Sequence, residues 1–399
     1  MGRRAYAGGV TPESPATHGV PAPAPVADGA VTPLVRLAPS SGPVPGVPDR
    51  GPARTTPGRP LAGRTTLRVG GRPAAEAVAT TAEELVGAVR EADAAGEPVL
   101  LVAGGSNLLV ADGDLPHTAV VVASRGVRRE PVDACGGVWV TAQAGHPWEE
   151  LVAETTANGW LGLEALSGIP GSVGATPVQN VGAYGTDVAA TLATVRTWDR
   201  RDGRLRTLAV GDLGLGYRTS RLKADPDRYV VLEVTFQLRE GEVGAPVGYA
   251  ELAARLGVAV GERAPAVEVR EAVLALRRGK GMVLDDADPD TWSAGSFFTN
   301  PVLEPAAAAA LPEGAPRYPA AGGVKTSAAW LIGAAGFERG HGLPGPASLS
   351  TRHTLAVTNR GTATAADVLA LAREVRDGVR DRLGVELEPE PRLVGCSLG

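Results

Sequence analysis

Leu166-Ser-Gly-Ile-Pro-Gly-Ser-Val-Gly-Ala-Thr-Pro-Val-Gln-Asn-Val-Gly-Ala-Tyr-Gly185 holds five glycines and two prolines and no charged side chain. Such a run is costly to order unless something fills it. Gln179 and Asn180 offer amide donors and acceptors, and Tyr184 a flat ring with a hydroxyl. Composition leaves two readings level: a long structural loop, or a loop that wraps a ligand.

Upstream, Val99–Val110 reads VLLVAGGSNLLV. An apolar strand runs into Gly104 and Gly105, which leave backbone N–H groups uncovered, and Ser106 and Asn107 add side-chain donors. That is either a turn or an anion cradle. It is neither GxGxxG nor a Walker A motif, so a Rossmann site and a P-loop ATPase are not supported. Around it, Leu67–Val69 is a short strand candidate, and Glu83–Asp93 carries Leu85, Val86, Val89 and Ala92 at helical spacing. Ala119–Ala123 and Val138–Ala142 read as strands, and Trp148–Asn158 as a helix ending at Gly159. Strand and helix alternate, which predicts a mixed α+β domain.

Downstream, strands are expected near Thr194–Asp199 and Tyr229–Leu238, and helices over Val267–Arg278 and Ala365–Leu383. Thr364 and Asp367 fit a capping-box start for the last helix. Three further stretches can carry chemistry. In GYRTSRLK, Arg218 can pair bidentately with a carboxylate or phosphate, although an arginine beside Arg221 and Lys223 is by default a solvated surface residue. In WSAGSFFTNP, Ser296 has no histidine nearby, so a Ser–His–Asp nucleophile is disfavoured and a buried turn serine is the plain alternative. In ELEPEPRLV, Glu386, Glu388 and Glu390 alternate and are expected to share one strand face. They form either a charged face or, if one is enclosed, a general acid.

Composition excludes several classes. The chain has 399 residues and a net charge of −5, so no broad basic field argues for nucleic acid or an anionic membrane. Two cysteines, Cys135 and Cys396, rule out a disulfide framework or a Cys-rich zinc site, and the five histidines lack HExxH spacing. No metal site is expected. No apolar run reaches membrane-spanning length, and the Met1–Val10 start lacks a signal h-region, so a cytoplasmic protein is expected. Residues 1–60 hold 13 of the 33 prolines with one aromatic, Tyr6, too little apolar surface to offset ordering, and are expected to be a disordered tail.

Each motif is modest alone, but their order is not. GGSNLL, LSGIPGSVGATPVQNVGAYG, YRTSRLK, SAGSFFTNP, KTSAAWLIGAAG and EPEPRLVG together closely resemble the UDP-N-acetylenolpyruvoylglucosamine reductase family, from about Leu61 to the C-terminus. The resemblance implies an NADPH-dependent flavoenzyme of peptidoglycan precursor synthesis, binding FAD non-covalently and reducing UDP-N-acetylglucosamine enolpyruvate to UDP-N-acetylmuramate. It implies an α+β, two-subdomain FAD-binding module of the vanillyl-alcohol-oxidase-like type over 61–240, split near 61–124 and 125–240. A C-terminal α+β substrate-binding domain over 241–399 follows, with a last strand near 385–395 returning to the first subdomain. A monomer with small-molecule substrates only is expected.

The family pattern carries onto matching positions. Gly104, Gly105, Ser106, Asn107 and Leu108 correspond to residues contacting FAD phosphates. Ser167, Gly168, Ile169, Pro170, Gly171, Ser172, Gly174, Ala175, Gln179, Asn180, Gly182, Ala183 and Tyr184 correspond to the loop wrapping the rest of the cofactor. Arg218 matches the arginine holding the substrate carboxylate, Ser296 the serine proton donor, and Glu390 the catalytic carboxylate, with Glu388 its rival one step along the motif. Tyr249, Arg277, Lys280 and Asn300 resemble residues that bind the UDP-sugar, and Tyr249 suggests the longer family subtype. Thr299, Ala175, Thr176 and Leu222 depart from the usual residues, and an insertion lies around 281–290. Two rivals remain: a flavin-dependent oxidase of the same superfamily, disfavoured because no histidine lies beside Gly104–Leu108 to tether flavin, and a non-catalytic nucleotide-binding module, which would be expected to lack one of Arg218, Ser296 and Glu390.

Overall fold

The computed structural model describes residues 53–131 and 136–399. The expected tail over 1–60 therefore lies mostly outside the described residues, but its end needs correcting. Thr55–Pro57 forms an antiparallel edge strand on Arg72–Ala79. Arg59 reaches the almost fully buried Glu76 carboxylate at 2.8 Å, joined there by Arg64 at 2.7 Å. Two guanidiniums on one enclosed carboxylate hold Glu76 ionised, below the usual carboxylate range despite its burial.

The first layer is a four-stranded sheet. Asp114–Val122 lies at its centre, parallel to Arg72–Ala79 on one side and to Val99–Val102 on the other. The crossover is helix Ala82–Ala94, whose start is set by Thr81 accepting from Glu84 N at 3.1 Å. Its Leu85, Ala88, Val89 and Ala92 recur at i, i+3, i+4 and i+7 and pack on the sheet with Ala77, Ala79 and Val120. Leu67–Val69 is not a strand. Arg68 adopts φ +54°, which no strand accommodates, and its guanidinium lies 3.8 Å above the Trp292 ring.

A second, six-stranded antiparallel sheet is built on Tyr229–Glu240. This strand pairs with Leu192–Asp199 on one edge and Val138–Gln143 on the other, and near its end with Trp160–Leu161. The helix Trp148–Ala157 packs beneath, with Trp148 5.8 Å from Phe236 and both rings fully buried.

The C-terminal region carries helices Ala250–Leu256 and Ala266–Gly279, a small three-stranded sheet, a two-stranded one, and helix Ala365–Leu383. That helix begins at the Thr364/Asp367 capping box and stops at Gly384, whose φ of +67° suits a left-handed cap. Val368, Ala372, Val375 and Val379 face a core that includes Leu331, Phe297 and Phe298. The chain then returns to the first region: Arg392–Val394 pairs in parallel with Leu108–Val110. Among the described residues, no helix is long and apolar enough to cross a membrane.

Candidate active site

A cavity of about 510 Å³ opens where these regions meet. Its floor is the turn after Val99–Val102. Gly105 sits at φ +57°, and a Cβ there would fall 1.9 Å from the Arg64 carbonyl oxygen; a Cβ on Gly104 would fall 2.6 Å from Gly171 Cα. The two glycine-rich loops thus touch backbone to backbone, which only residues without side chains allow. Asn107 locks them: its Nδ2 donates to Gln179 Oε1 at 2.9 Å and more weakly to the Glu390 carbonyl at 3.4 Å, while its own carbonyl accepts from Arg392 N at 2.9 Å.

The third wall is the hairpin carrying Arg218, a non-glycine residue at φ +53°. Its guanidinium donates to the Asn180 carbonyl at 3.3 Å and the Gly182 carbonyl at 2.8 Å. Its Nε lies 2.9 Å from Glu390 Oε1.

Ser296 and Glu390 come from chain segments that lie antiparallel. Glu390 N donates to the Phe297 carbonyl at 2.8 Å and Thr299 N to the Glu388 carbonyl at 3.0 Å. Phe297 and Phe298, each 1% exposed, anchor the turn. Ser296, half-buried, and Glu390 then face the same cavity as Arg218. The expected shared strand face for Glu386, Glu388 and Glu390 is not formed. The regular strand begins only at Arg392, because prolines at 389 and 391 interrupt the ladder, so Glu390 points into the cavity while Glu386 and Glu388 are exposed. Burial raises the Glu390 carboxyl above its usual range, against the opposing pull of Arg218 and Lys223.

Of the loop residues singled out, Gly104 to Leu108, Ile169 to Ser172, Gly174, Ala175, Gln179 and Gly182 line the cavity; Ser167, Gly168, Asn180, Ala183 and Tyr184 stand behind it. Ser167 Oγ donates to the Glu164 carbonyl at 2.7 Å, and Asn180, at φ +48°, donates to Asp187 at 3.0 Å. Arg277 lines the cavity, almost fully buried, its Nη2 donating to the Met282 carbonyl at 2.8 Å. Burial lowers its pKa to about 10 and lifts that of Tyr184 to about 12. Tyr249 and Lys280 do not line this cavity. Tyr249 stacks edge-on against Tyr184 at 5.5 Å, and Lys280 pairs with Glu251. Asn300 Oδ1 accepts from Ala328 N at 2.9 Å, at the start of helix Ala328–Ala334. Sequence reasoning passed over Lys223, Tyr229, Met282 and Arg392, which also line the cavity. Lys223 and Arg392 carried a signal, their places in the Arg218 and Glu390 blocks.

The donor set suits a large anionic, flat ligand. Ser172 Oγ is buried in the wall without a partner, as is Arg277 Nε, and the glycine turn lines the same cavity. Trp148, Leu222 and Val231 supply apolar walls against which a fused ring packs.

Comparison with known proteins gives the chemistry a context. Residues 73–209 match the family profile "FAD binding domain", and residues 288–394 match "UDP-N-acetylenolpyruvoylglucosamine reductase, C-terminal domain". The chain is 54% identical to the UDP-N-acetylenolpyruvoylglucosamine reductase of Cutibacterium acnes, over 85% of this chain and 90% of that protein. It is 58% identical to the reductase of that name from Nocardia farcinica, over 85% and 89%. The crystal structure of UDP-N-acetylenolpyruvylglucosamine reductase from Thermus caldophilus superposes with a TM-score of 0.59 at 27% identity, covering 86% of this chain and 99% of that one.

Proposed function

The chain belongs to the UDP-N-acetylenolpyruvoylglucosamine reductase family, and from that premise we propose that Arg218, Ser296 and Glu390 carry its reaction. It is an FAD-dependent oxidoreductase with NADPH as reductant, converting UDP-N-acetylglucosamine enolpyruvate to UDP-N-acetylmuramate. The observation that carries the residue assignment is the convergence of three distant segments on one cavity, with Arg218 Nε 2.9 Å from the Glu390 carboxylate.

Gly104, Gly105, Ser106, Asn107 and the unpartnered Ser172 hydroxyl would hold the phosphates of FAD, and the apolar wall around Trp148 and Leu222 its ring. Bound FAD supplies the hydride relay from NADPH to the substrate double bond. Reduction of that bond pushes negative charge into the substrate carboxylate. Arg218, already oriented by two carbonyls, meets this charge with fixed N–H donors and needs no reorganisation, usually the largest catalytic term. Burial raises the Glu390 carboxyl above its usual range, and in its protonated form it would donate to the same oxygens. The Ser296 hydroxyl delivers the proton to the adjacent carbon. Arg277 stands at the deep end, where its buried charge attracts a phosphate or a carbonyl oxygen. Tyr249 and Lys280, grouped outside with Tyr184, fit the UDP-sugar. In this reading 61–124 and 125–240 form the cofactor module and 241–399 the substrate domain, in a monomeric cytoplasmic enzyme of cell-wall biogenesis.

Purified protein is expected to be yellow, with visible absorbance that bleaches on NADPH and recovers on adding the enolpyruvyl substrate. A folded, colourless preparation that FAD does not reconstitute ends this reading. Gly105→Ala is expected to lose most of its flavin, because the new Cβ meets the Arg64 carbonyl and the left-handed φ is strained as well. The ratio of visible to ultraviolet absorbance, with circular dichroism to verify folding, checks it.

A further inference from the structure

Lys223, the lysine of the Arg218 block, is exposed and still lines the cavity that Arg218 and Glu390 share. The backbone at Arg218 is left-handed, a conformation that is strained for a residue with a side chain. The hairpin around it is closed by reciprocal bonds between Gly216 and Thr219, at 3.1 and 3.4 Å, which leave the Arg218 carbonyl at the turn. Lys223 Nζ donates to that carbonyl at 3.0 Å. The lysine is itself aimed. The turn of helix Arg221–Ala224 starts at Ser220, whose Oγ accepts from Lys223 N at 3.1 Å and donates to the Val178 carbonyl in the glycine-rich loop. Leu222, 4% exposed, pins the turn to the core.

Four cations line the cavity that Glu390 faces. Arg218 is in ion-pair contact with it; Arg277 is tied to the Met282 carbonyl, and Arg392 turns to Asp227 at 3.4 Å. Lys223 is the second cation acting on the Glu390 carboxyl, after Arg218.

We propose that Lys223 is a positioning residue for the Arg218–Glu390 pair: its bond to the Arg218 carbonyl fixes the left-handed turn that aims the guanidinium, and its ammonium lines the cavity that Glu390 enters. This rests on the catalytic reading of the trio. Lys223→Met holoenzyme is expected to keep its flavin content. Its kcat falls roughly ten- to a hundredfold, the scale of a small misplacement of a catalytic group. The high-pH limb of kcat, set by deprotonation of Glu390, moves up, because the cation favouring the charged form is gone. Lys223→Arg restores the limb. The measurement is kcat and KM for the enolpyruvyl substrate across pH, for wild type, both Lys223 variants and Glu390→Gln. An unaltered kcat and pH limb in Lys223→Met beside an impaired Glu390→Gln overturns this proposal alone. A loss in Lys223→Met that Lys223→Arg does not restore, with the limb unmoved, reduces Lys223 to a structural residue and also overturns it. A fully active Glu390→Gln strikes the catalytic reading and this proposal with it.

Discussion

Ser296→Ala is expected to let NADPH bleach the flavin at the wild-type rate while turnover falls by about a thousandfold, in the range for loss of a positioned proton donor. The reason lies in where the hydroxyl stands. Ser296 occupies a cavity wall next to the Phe297 carbonyl that accepts from Glu390 N, and it takes no part in the bonds that tie the glycine-rich loops together. Replacing it leaves Asn107, Gln179 and the Gly104–Gly171 contact intact, hence the same flavin content and the same first half-reaction. Stopped-flow absorbance separates the halves. Equal losses in both would mean that the hydroxyl serves binding or structure, and the assignment as proton donor would fall.

Arg218→Met is expected to lower kcat by roughly a hundred- to a thousandfold, the effect of removing one preorganised charge-stabilising group. It should also change how stability depends on pH. The Glu390 carboxyl has a folded-state pKa above its unfolded one, because burial outweighs Arg218 and Lys223. A group of that kind binds more protons in the native state, so native stability falls as pH rises from the unfolded pKa through the folded one. Without Arg218 at 2.9 Å the folded pKa climbs further and the loss with rising pH deepens. Urea titrations across that window, for wild type, Arg218→Met and the double variant with Glu390→Gln, test this. The double variant should lose the added pH dependence, and persistence of that dependence would show that another group is titrating.

The local structure was largely legible because it rests on local physics. The helix over Ala365–Leu383 follows from apolar residues at helical spacing between a Thr364/Asp367 box and Gly384. The strand Val99–Val102 and its glycine turn follow from an apolar run meeting two glycines. The site residues were legible by a different route, since their order along the chain matches a family pattern and nothing in their spacing says that they meet.

What escaped the sequence depended on partners far away in the chain. Thr55–Pro57 becomes a strand because Arg72–Ala79 offers it an edge and Glu76 a buried charge. Leu67–Val69 fails to become one because Arg68 turns left-handed, with its guanidinium over the Trp292 ring. Asn300 is occupied by the backbone of a helix that starts 28 residues later.

By itself, then, the sequence determined the α+β texture, the two glycine-rich runs and the family motifs in their order, all of which depend on residue type and near neighbours. Only the tertiary structure decided that Glu390 and not Glu388 enters the cavity, that Arg218 reaches it, and that Lys223 bonds the Arg218 carbonyl. Those choices turn on side-chain direction and burial, set by prolines breaking a ladder and by a C-terminal strand returning to Leu108–Val110.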